Sequence, residues 1–214
     1  MTSFLPIFPL KLVVFPGEQL NLHIFESRYK QLIQECDNEG VNFGIAPFLG
    51  KKIGTFGTEV ELVKIVRKYE NGEMDITTRG KRIFKIEEFF RKAPKKLYSG
   101  ADIEFVEHNT AGDVMSNIHI LEKVKELFSI MKIKKDLPAS PELFSTYDLA
   151  HHVGFSLNQE FDFLKVPDEK DRQRIMLQHL ETLLPVVSEM EKLREKIRMN
   201  GHFRDAIPPD LLGG

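Results

Sequence analysis

The first half of the chain alternates short apolar runs with turn-forming residues, a pattern typical of a β-rich domain. The runs cover residues 4–15, 42–48, 59–69, 74–86 and 101–106. Because proline cannot donate to a sheet ladder, Pro6, Pro9 and Pro16 predict short, interrupted strands at the rim of a small barrel. The pair Asn71-Gly72 predicts a tight hairpin turn, and Gly80 predicts a bulge. In total we expect about six strands.

One helix is predicted between the second and third strands. Its apolar side chains recur at helical spacing on one face: Tyr29, Leu32, Ile33 and Cys36. Ser27 is the predicted N-cap of this helix, and Gly40 is its predicted end. Cys36 is the one cysteine of the chain, so it can form no internal disulfide, and a reducing, cytoplasmic setting is expected.

Near residue 109 the apolar spacing becomes helical. The first helical set comprises Val114, Ile118, Leu121, Lys125 and Phe128. Ser140-Pro141-Glu142 predicts the start of a second helix, which Gly154 ends. Further helices are predicted over residues 157–164 and 168–180.

A last helix is predicted to open at Pro185 and to close at Asn200-Gly201. Its predicted inner stripe comprises Val186, Met190, Leu193 and Ile197. This spacing is that of a coiled coil, so the stripe is expected to serve packing within the bundle, docking or self-association.

Composition fits a globular protein and excludes several function classes. The 214 residues are 42% hydrophobic and 29% charged, which is ordinary for a chain with a core. No apolar run approaches the ~20 residues that span a bilayer, and no secretory signal is visible. The net charge is −2, with 16 basic against 15 acidic residues up to residue 108 and 14 against 17 beyond it. Neither half resembles the basic surface of a dedicated nucleic-acid binder.

The sequence shows no catalytic or metal-binding pattern. The segment from Gly44 to Lys52 approaches a phosphate-binding loop, but its glycine spacing is one residue too long and Lys52 stands where a hydroxyl must bind the metal. No glycine-flanked serine marks a nucleophile, and Cys36 lies on a predicted packed face. Sets such as Asp148 and His152, one turn apart, are common on solvated helices. We therefore predict no catalytic residue, no cofactor and no metal site.

The most specific pattern in the chain is the proline-rich stretch 4–17 followed by His23-Ile24-Phe25-Glu26-Ser27-Arg28-Tyr29. Further segments of the pattern are 57–60, 78–84, 147–153 and 169–178. Together they resemble the N-terminal, substrate-binding domain of the Lon protease family. The signature positions are Pro6, Pro9, Phe15, Pro16, Gly17, His23, Phe25, Glu26, Arg28, Tyr29, Gly80 and Arg82, for which we predict structural roles.

The resemblance implies an α+β fold. An N-terminal β-rich, PUA-like pseudo-barrel lobe with one inserted helix is expected over residues 1–108. A C-terminal α-helical bundle is expected over residues 109–200, and a flexible tail over residues 201–214.

The resemblance also implies a function, the recognition of unfolded or misfolded polypeptides. The phosphate-binding loop and the Ser–Lys peptidase dyad of the full-length proteases are not found. We therefore expect a non-catalytic, stand-alone form that acts in protein quality control, as an adaptor to an ATP-dependent protease or as a holdase, with no membrane partner.

The candidate polypeptide-binding segment is a predicted loop over residues 48–57, in which large apolar residues stand among glycines and lysines. The proposed contact residues are Phe48, Leu49, Ile53 and Phe56. The alternative is that Phe48 and Phe56 plug the mouth of the barrel.

An RNA- or small-ligand-binding module on the PUA-like lobe is the alternative function. Its candidate residues are Lys81, Arg82, Arg91, Lys92, Lys95 and Lys96. Interspersed acids such as Glu87 and Glu104 weaken the attraction for phosphate, so nucleic acid is the less favoured partner.

Overall fold

The computed structural model describes the backbone of residues 2–205 and the side chains of residues 2–199; most of the tail expected over residues 201–214 lies outside the described residues. The strands are β1 (Ser3–Leu10), β2 (Gln19–Ile24), β3 (Phe43–Leu49), β4 (Lys52–Ile53), β5 (Phe56–Lys68), β6 (Met74–Phe90) and β7 (Ser99–Phe105). The helices are α1 (Ser27–Glu39), α2 (Val114–Met131), a 3-10 helix (Thr146–His152), α3 (Leu157–Leu164) and α4 (Glu169–Asp205). The predicted order of strands followed by helices is thus confirmed.

Five strands close into a barrel in the order β1-β7-β6-β5-β3, and a parallel pairing of β1 with β3 completes the circle. β2 pairs with the first part of β6, and the two-residue strand β4 pairs with the end of β3. Among the described residues, one core cluster joins the buried face of α1 to barrel residues such as Phe43 and Val60, and another lies around Ile7 and Phe84.

Pro6 and Pro9 lie inside one continuous strand, so the prediction of short strands broken at these residues is wrong. In the register of β1, Pro6 is opposite Gly100 of β7 and Pro9 is opposite Ala46 of β3. Ile7 alone among the paired positions of β1 has a partner on both sides. Pro6 and Pro9 each have a partner strand on one side only. The proline nitrogen, which carries no hydrogen, can therefore lie on the side without a partner, which is how proline is accommodated in a sheet.

Helix α1 confirms the predicted helical face. Tyr29, Leu32, Ile33 and Cys36 are its buried residues, and Gly40 ends it with a left-handed φ of 67°. The predicted cap is wrong: Glu26 occupies the N-cap position without a side-chain cap, and Ser27 is already helical. The backbone carbonyl of Glu26 accepts from the N–H groups of Tyr29 and Lys30, so the first turn forms without a hydroxyl cap.

The hairpin between β5 and β6 has a longer turn than predicted. Tyr69 N–H donates to the carbonyl of Glu73, which leaves three residues in the loop, and Gly72 alone takes a positive φ there, 76°. This is the arrangement of a turn closed by a left-handed glycine rather than a two-residue turn. At Gly80 the predicted irregularity is confirmed, because the register between β5 and β6 shifts beside it.

Two compact units make up the chain. Of the described residues, the first unit contains those up to Ala111 together with Ser145–Arg172, and the second contains Gly112–Phe144 together with those from Gln173 onward. The first unit thus includes the 3-10 helix and α3. The sequence-based boundary at residue 109 instead places both of these helices in the helical bundle. Aromatic packing accounts for this, since the ring of Phe15 stacks on Tyr147 at 5.0 Å and meets Phe163 edge-on at 6.2 Å.

An ion cluster also holds the 3-10 helix within the first unit. His151 places Nδ1 2.7 Å from Glu160 and Nε2 3.1 Å from Glu18. Burial opposes the charged imidazole, but the hydrogen bonds to the two carboxylates outweigh burial and raise the pKa of His151 to about 9. His151 is therefore a cation at neutral pH that joins three segments of the chain.

The second helix predicted from Ser140-Pro141-Glu142 begins later and has another geometry. Residues 141–143 form a turn, and the 3-10 helix starts at Thr146 behind a capping box in which Ser145 and Asp148 exchange hydrogen bonds. The amide of Asn117 donates to the carbonyl of Pro141 at 2.7 Å, which binds that carbonyl in the turn. The cap therefore moves from Ser140 to Ser145.

Helix α2 is confirmed in the second unit. Of the predicted set, Phe128 is buried, and the other buried residues lie one position before predicted ones. Its buried residues are Asn117, Ile120, Val124, Leu127 and Phe128. Gln173 of α4, which the sequence pattern singles out in 169–178, donates to Asn117 at 2.6 Å and to the carbonyl of Asp113 at 2.9 Å. A buried amide pair thus fastens two helices of this unit.

Helix α4 is one continuous helix, so the predicted break between Leu180 and Pro185 is wrong. Pro185 lies inside it, and the helix passes Asn200-Gly201 to reach Asp205. An interior proline removes one backbone hydrogen bond, clashes with the preceding turn and costs about 3 kcal/mol. Good helix formers one turn away on either side, such as Glu181 and Glu189, favour continuation of the helix. Packing of the predicted inner stripe within the bundle is also wrong, because Val186, Met190, Leu193 and Ile197 are 52–64% exposed. Docking or self-association through this stripe stays a prediction.

Candidate functional site

A cleft of about 1000 Å³ lies in the first unit and is lined by residues of α1, β1, β3, β4, β6 and β7. Its apolar lining comprises Pro9, Leu10, Tyr29, Phe48, Ile53, Ile86 and Phe89. Ile53, Ile86 and Phe89 are partly buried and pack against the barrel core formed around Ile7 and Phe84. The cleft floor is therefore continuous with the core and still partly open to solvent.

The predicted loop over residues 48–57 is a β-hairpin followed by the first residues of β5, because Phe48 pairs with Ile53 and Leu49 pairs with Lys52 around a turn at Gly50. Phe48 and Ile53 line the cleft, whereas Leu49 and Phe56 do not. Neighbouring residues of a strand point to opposite faces, which separates Phe48 from Leu49. Phe56 instead lies opposite Lys85 in the β5–β6 ladder.

Basic side chains form the rim of the cleft. They are Lys11, Arg28, Lys51, Lys52 and Arg91, and Glu87 is the one acidic residue in the lining. Arg28 is paired with Glu26 at 2.7 Å, and Glu87 is paired with Lys85 at 2.7 Å. Within residues 2–199, Lys11, Lys51, Lys52 and Arg91 form no ion pair, so the rim carries uncompensated positive charge.

The basic residues proposed for RNA are distributed differently. Lys81 pairs with Glu61 at 3.0 Å, and Lys96 pairs with Glu35 at 2.8 Å. Arg82 pairs with Glu59 at 2.7 Å and lies over the ring of Phe105. Of the six candidates, Arg91 lines the cleft.

The Arg82–Glu59 pair shows how one of these cations stabilises the barrel. The side chain of Glu59 is 6% exposed. Burial raises the pKa of its carboxyl, but the hydrogen bonds from Arg82 and Asn42 outweigh burial and lower the pKa overall. The guanidinium meets both carboxylate oxygens, at 2.7 and 3.1 Å. Arg82 therefore neutralises a buried acid in the barrel wall.

Several signature residues make close contacts within the first unit. Tyr29 is buried and stacks on Phe8 with ring centroids 3.7 Å apart. Gly17 takes a φ of 85°, and its N–H donates to the carbonyl of Gly80. Gly80 allows β6 to approach residue 15 closely, because an added Cβ would lie 2.2 Å from the carbonyl oxygen of Phe15. Pro16 lies in the turn together with Gly17, directly after Phe15.

His23 fastens β2 to the start of β6. Its ring nitrogens lie 2.7 Å from Asp75 and 3.2 Å from Glu73, and the hydrogen bond to Asp75 raises its pKa. Phe25, which follows in the signature, is 60% exposed. Neither residue belongs to the cleft lining.

The residues that could suggest catalysis have structural surroundings. Gly44 lies inside β3 and Gly50 in a hairpin turn, which differs from a loop that leads into a helix around phosphate. Burial raises the pKa of the Cys36 thiol to about 12. In the described part of the chain, no group of three or more His, Cys, Asp or Glu side chains is placed to hold a metal ion. None of the described helices is long and apolar enough to cross a membrane.

Lys11, Ile86 and Phe89 are cleft residues that sequence reasoning missed. The sequence pattern predicts a strand over residues 74–86, whereas β6 continues to Phe90. The aromatic pair Phe89-Phe90 favours a strand and could have indicated this continuation.

The fold is that of Lon N-terminal domains. The crystal structure of a Lon N-terminal domain protein from Xanthomonas campestris is similar, with a TM-score of 0.66 and 22% identity over 82% of this chain and 98% of that one. The N-terminal domain of the Mycobacterium avium complex Lon protease is similar with a TM-score of 0.62 and 16% identity, over 84% of this chain and 98% of that one. No curated protein matches the chain significantly in sequence.

The model of the ATP-dependent protease La (LON) substrate-binding domain matches residues 4–182. The chain therefore belongs to this family, which supports a substrate-binding role.

Proposed function

We propose that the protein is a non-catalytic polypeptide-binding protein and that its cleft holds a segment of an unfolded client. The observation that carries this proposal is the partly exposed apolar floor that Ile53, Ile86 and Phe89 form against the barrel core. Open apolar surface of this kind is typical of interaction sites. A volume of about 1000 Å³ can accept a few side chains of an extended chain.

An unfolded client exposes apolar side chains that can pack against this floor. Aliphatic and aromatic side chains that are buried in a folded client become available when it unfolds, and burying one of them gains roughly 1.5–3 kcal/mol. A folded client keeps these side chains inside and presents mostly polar groups. The cleft would thus distinguish unfolded from folded chains without any catalytic step.

The cellular role that follows is protein quality control in the cytoplasm, as an adaptor to an ATP-dependent protease or as a holdase. The family description and the apolar cleft support this role. Suppression of aggregation of a denatured client by the protein alone would favour the holdase, and faster degradation by an added Lon-type protease would favour the adaptor. The absence of both effects, with every client tested, would contradict this role.

A matched pair of substitutions in one hairpin tests the site. Ile53→Ser removes an apolar side chain from the cleft, and Leu49→Ser makes the same kind of change in a partly buried residue outside the lining. We expect Ile53→Ser to weaken binding of a permanently unfolded, carboxymethylated client about ten-fold or more, because one apolar contact is lost.

Fluorescence anisotropy measures that affinity, and circular dichroism verifies that both variants are folded. Leu49→Ser is expected to bind nearly as tightly as the unaltered protein. Equal weakening by both substitutions, or by neither, would show that the cleft is not the binding site.

A further inference from the structure

We infer that the cleft selects segments in which apolar side chains are flanked by carboxylates, so that acidic clients bind more tightly than basic ones. This inference rests on the proposed function, and it names the chemical class of the bound segment. It is carried by the charge of the rim and by its position beside the apolar floor.

The rim is positive although the chain as a whole is not. The net charge of the protein is −2, yet Lys11, Lys51, Lys52 and Arg91 surround the cleft without an ion pair among the described residues. Glu87 is paired with Lys85 outside the lining and compensates little of this charge. Elsewhere in the barrel, cations such as Lys81 and Arg82 are matched by acids. The cleft thus combines an apolar floor with cations that no acid in its lining neutralises.

Basic residues of the lining stand close in sequence to its apolar residues, at or just beyond the ends of the strands that form the cleft. Lys11 follows Leu10, Lys52 precedes Ile53, and Arg91 stands two residues after Phe89. A segment lying over the floor would therefore place its apolar side chains between cations. Carboxylates next to those side chains would meet the cations, whereas lysines would be repelled.

A single-stranded nucleic acid is the other polyanion that could meet such a rim, and the floor disfavours it. Binding of single strands relies on aromatic faces on which bases stack. The ring of Tyr29 is already stacked on Phe8. The other rings in the lining are those of Phe48 and Phe89, and most of the remaining apolar lining, Pro9, Leu10, Ile53 and Ile86, is aliphatic. Three of the six basic residues first considered for RNA are also engaged by acids.

Two labelled peptides that share the same apolar residues test the inference. One carries Asp and Glu at the flanking positions, and the other carries Lys and Arg. We expect the acidic peptide to bind about ten-fold more tightly at low ionic strength, and we expect the difference to shrink in about 0.5 M salt because charges are then screened.

Charge reversal identifies the cations responsible. The double variant Lys52→Glu with Arg91→Glu is expected to reverse the preference between the two peptides while it retains binding of an uncharged peptide with the same apolar residues. Lys125→Glu, an exposed lysine on α2 that does not line the cleft, is the single-charge control and should leave the preference unchanged. Circular dichroism verifies the fold of each variant.

The outcomes separate the inference from the function on which it rests. Equal binding of both peptides would overturn the charge selection and leave polypeptide binding in place. No binding of any peptide would overturn both. Displacement of the acidic peptide by single-stranded RNA at lower concentration than by unlabelled acidic peptide would overturn the inference in favour of nucleic acid.

Discussion

Replacing Arg172 with methionine is expected to destabilise the first unit strongly. The side chains of Arg172 and Glu169 are 0% and 1% exposed. The guanidinium donates to Glu169 at 2.6 and 2.9 Å, to the carbonyl of Val166 at 2.6 Å and to the carbonyl of Asn109 at 3.2 Å. It also lies over the ring of Tyr147 at 4.3 Å.

The magnitude follows from what the substitution leaves behind. The carboxylate of Glu169 keeps hydrogen bonds from the backbone and hydroxyl of Thr146 at 2.7 and 3.2 Å, but it loses its buried counter-ion. Breaking a buried ion pair by removing one partner costs about 3–5 kcal/mol. Methionine occupies much of the aliphatic volume of arginine, so the loss reflects the unpaired charge more than a cavity.

Arg194→Met is the matched control on the same helix. Arg194 pairs with Glu191 at the same i, i+3 spacing, at 2.6 Å, but its side chain is 79% exposed. An exposed pair contributes roughly 0–1 kcal/mol. The two substitutions remove the same side chain from the same sequence pattern, and they differ in burial.

Urea denaturation followed by circular dichroism measures both effects, since the chain has no tryptophan to report by fluorescence. With a denaturant slope of about 2–3 kcal/mol per M, the transition of the first unit should move by about 1–2 M for Arg172→Met and very little for Arg194→Met. A loss below about 1 kcal/mol for Arg172→Met, or equal losses for both, would refute the reasoning that burial makes this pair essential.

Two further predictions concern the first unit. Gly80→Ala should lower the free energy of unfolding by about 3 kcal/mol, because its Cβ would lie 2.2 Å from a backbone carbonyl oxygen. The control is Gly50→Ala, at φ 62° with open space around it, which should lower it by about 1 kcal/mol. Equal losses of stability for both variants in thermal unfolding would contradict the close approach at Gly80. The raised pKa of His151, about 9 against 6.5, implies stability that is complete below pH 6.5 and is lost as pH rises through about 9, up to roughly 3 kcal/mol. His151→Gln should lack this decline between pH 7 and 10, and an unaltered decline in that variant would assign it to other groups.

Much of the local structure was predictable because it depends on residues close in sequence. The spacing of Tyr29, Leu32, Ile33 and Cys36 defines one apolar face, and any helix there must bury it. Gly40 can take the left-handed conformation that ends the helix. The strand-rich first half and the helix between the second and third strands follow from the same local periodicity.

The cleft depended on distant residues and was predicted in part. The sequence indicates Phe48 and Ile53 as contact residues because they are large apolar residues among glycines, and both line the cleft. Leu49, beside Phe48, has the same character but does not line the cleft. Pro9 and Phe89, the partners of Phe48 and Ile53 in the lining, come from β1 and β6, which the closed barrel brings beside them. No local pattern specifies that closure, which requires the parallel pairing of β1 with β3.

The sequence by itself determined which segments become strands and helices and which face of α1 is apolar, because these properties follow from side-chain periodicity and turn chemistry. The tertiary structure alone decided which faces are covered. Glu169 and Arg172 share their spacing with Glu191 and Arg194, yet the first pair is fully buried and the second is exposed. Burial depends on the surface that long-range folding places over a side chain, and that surface is not encoded in the spacing of the side chains themselves.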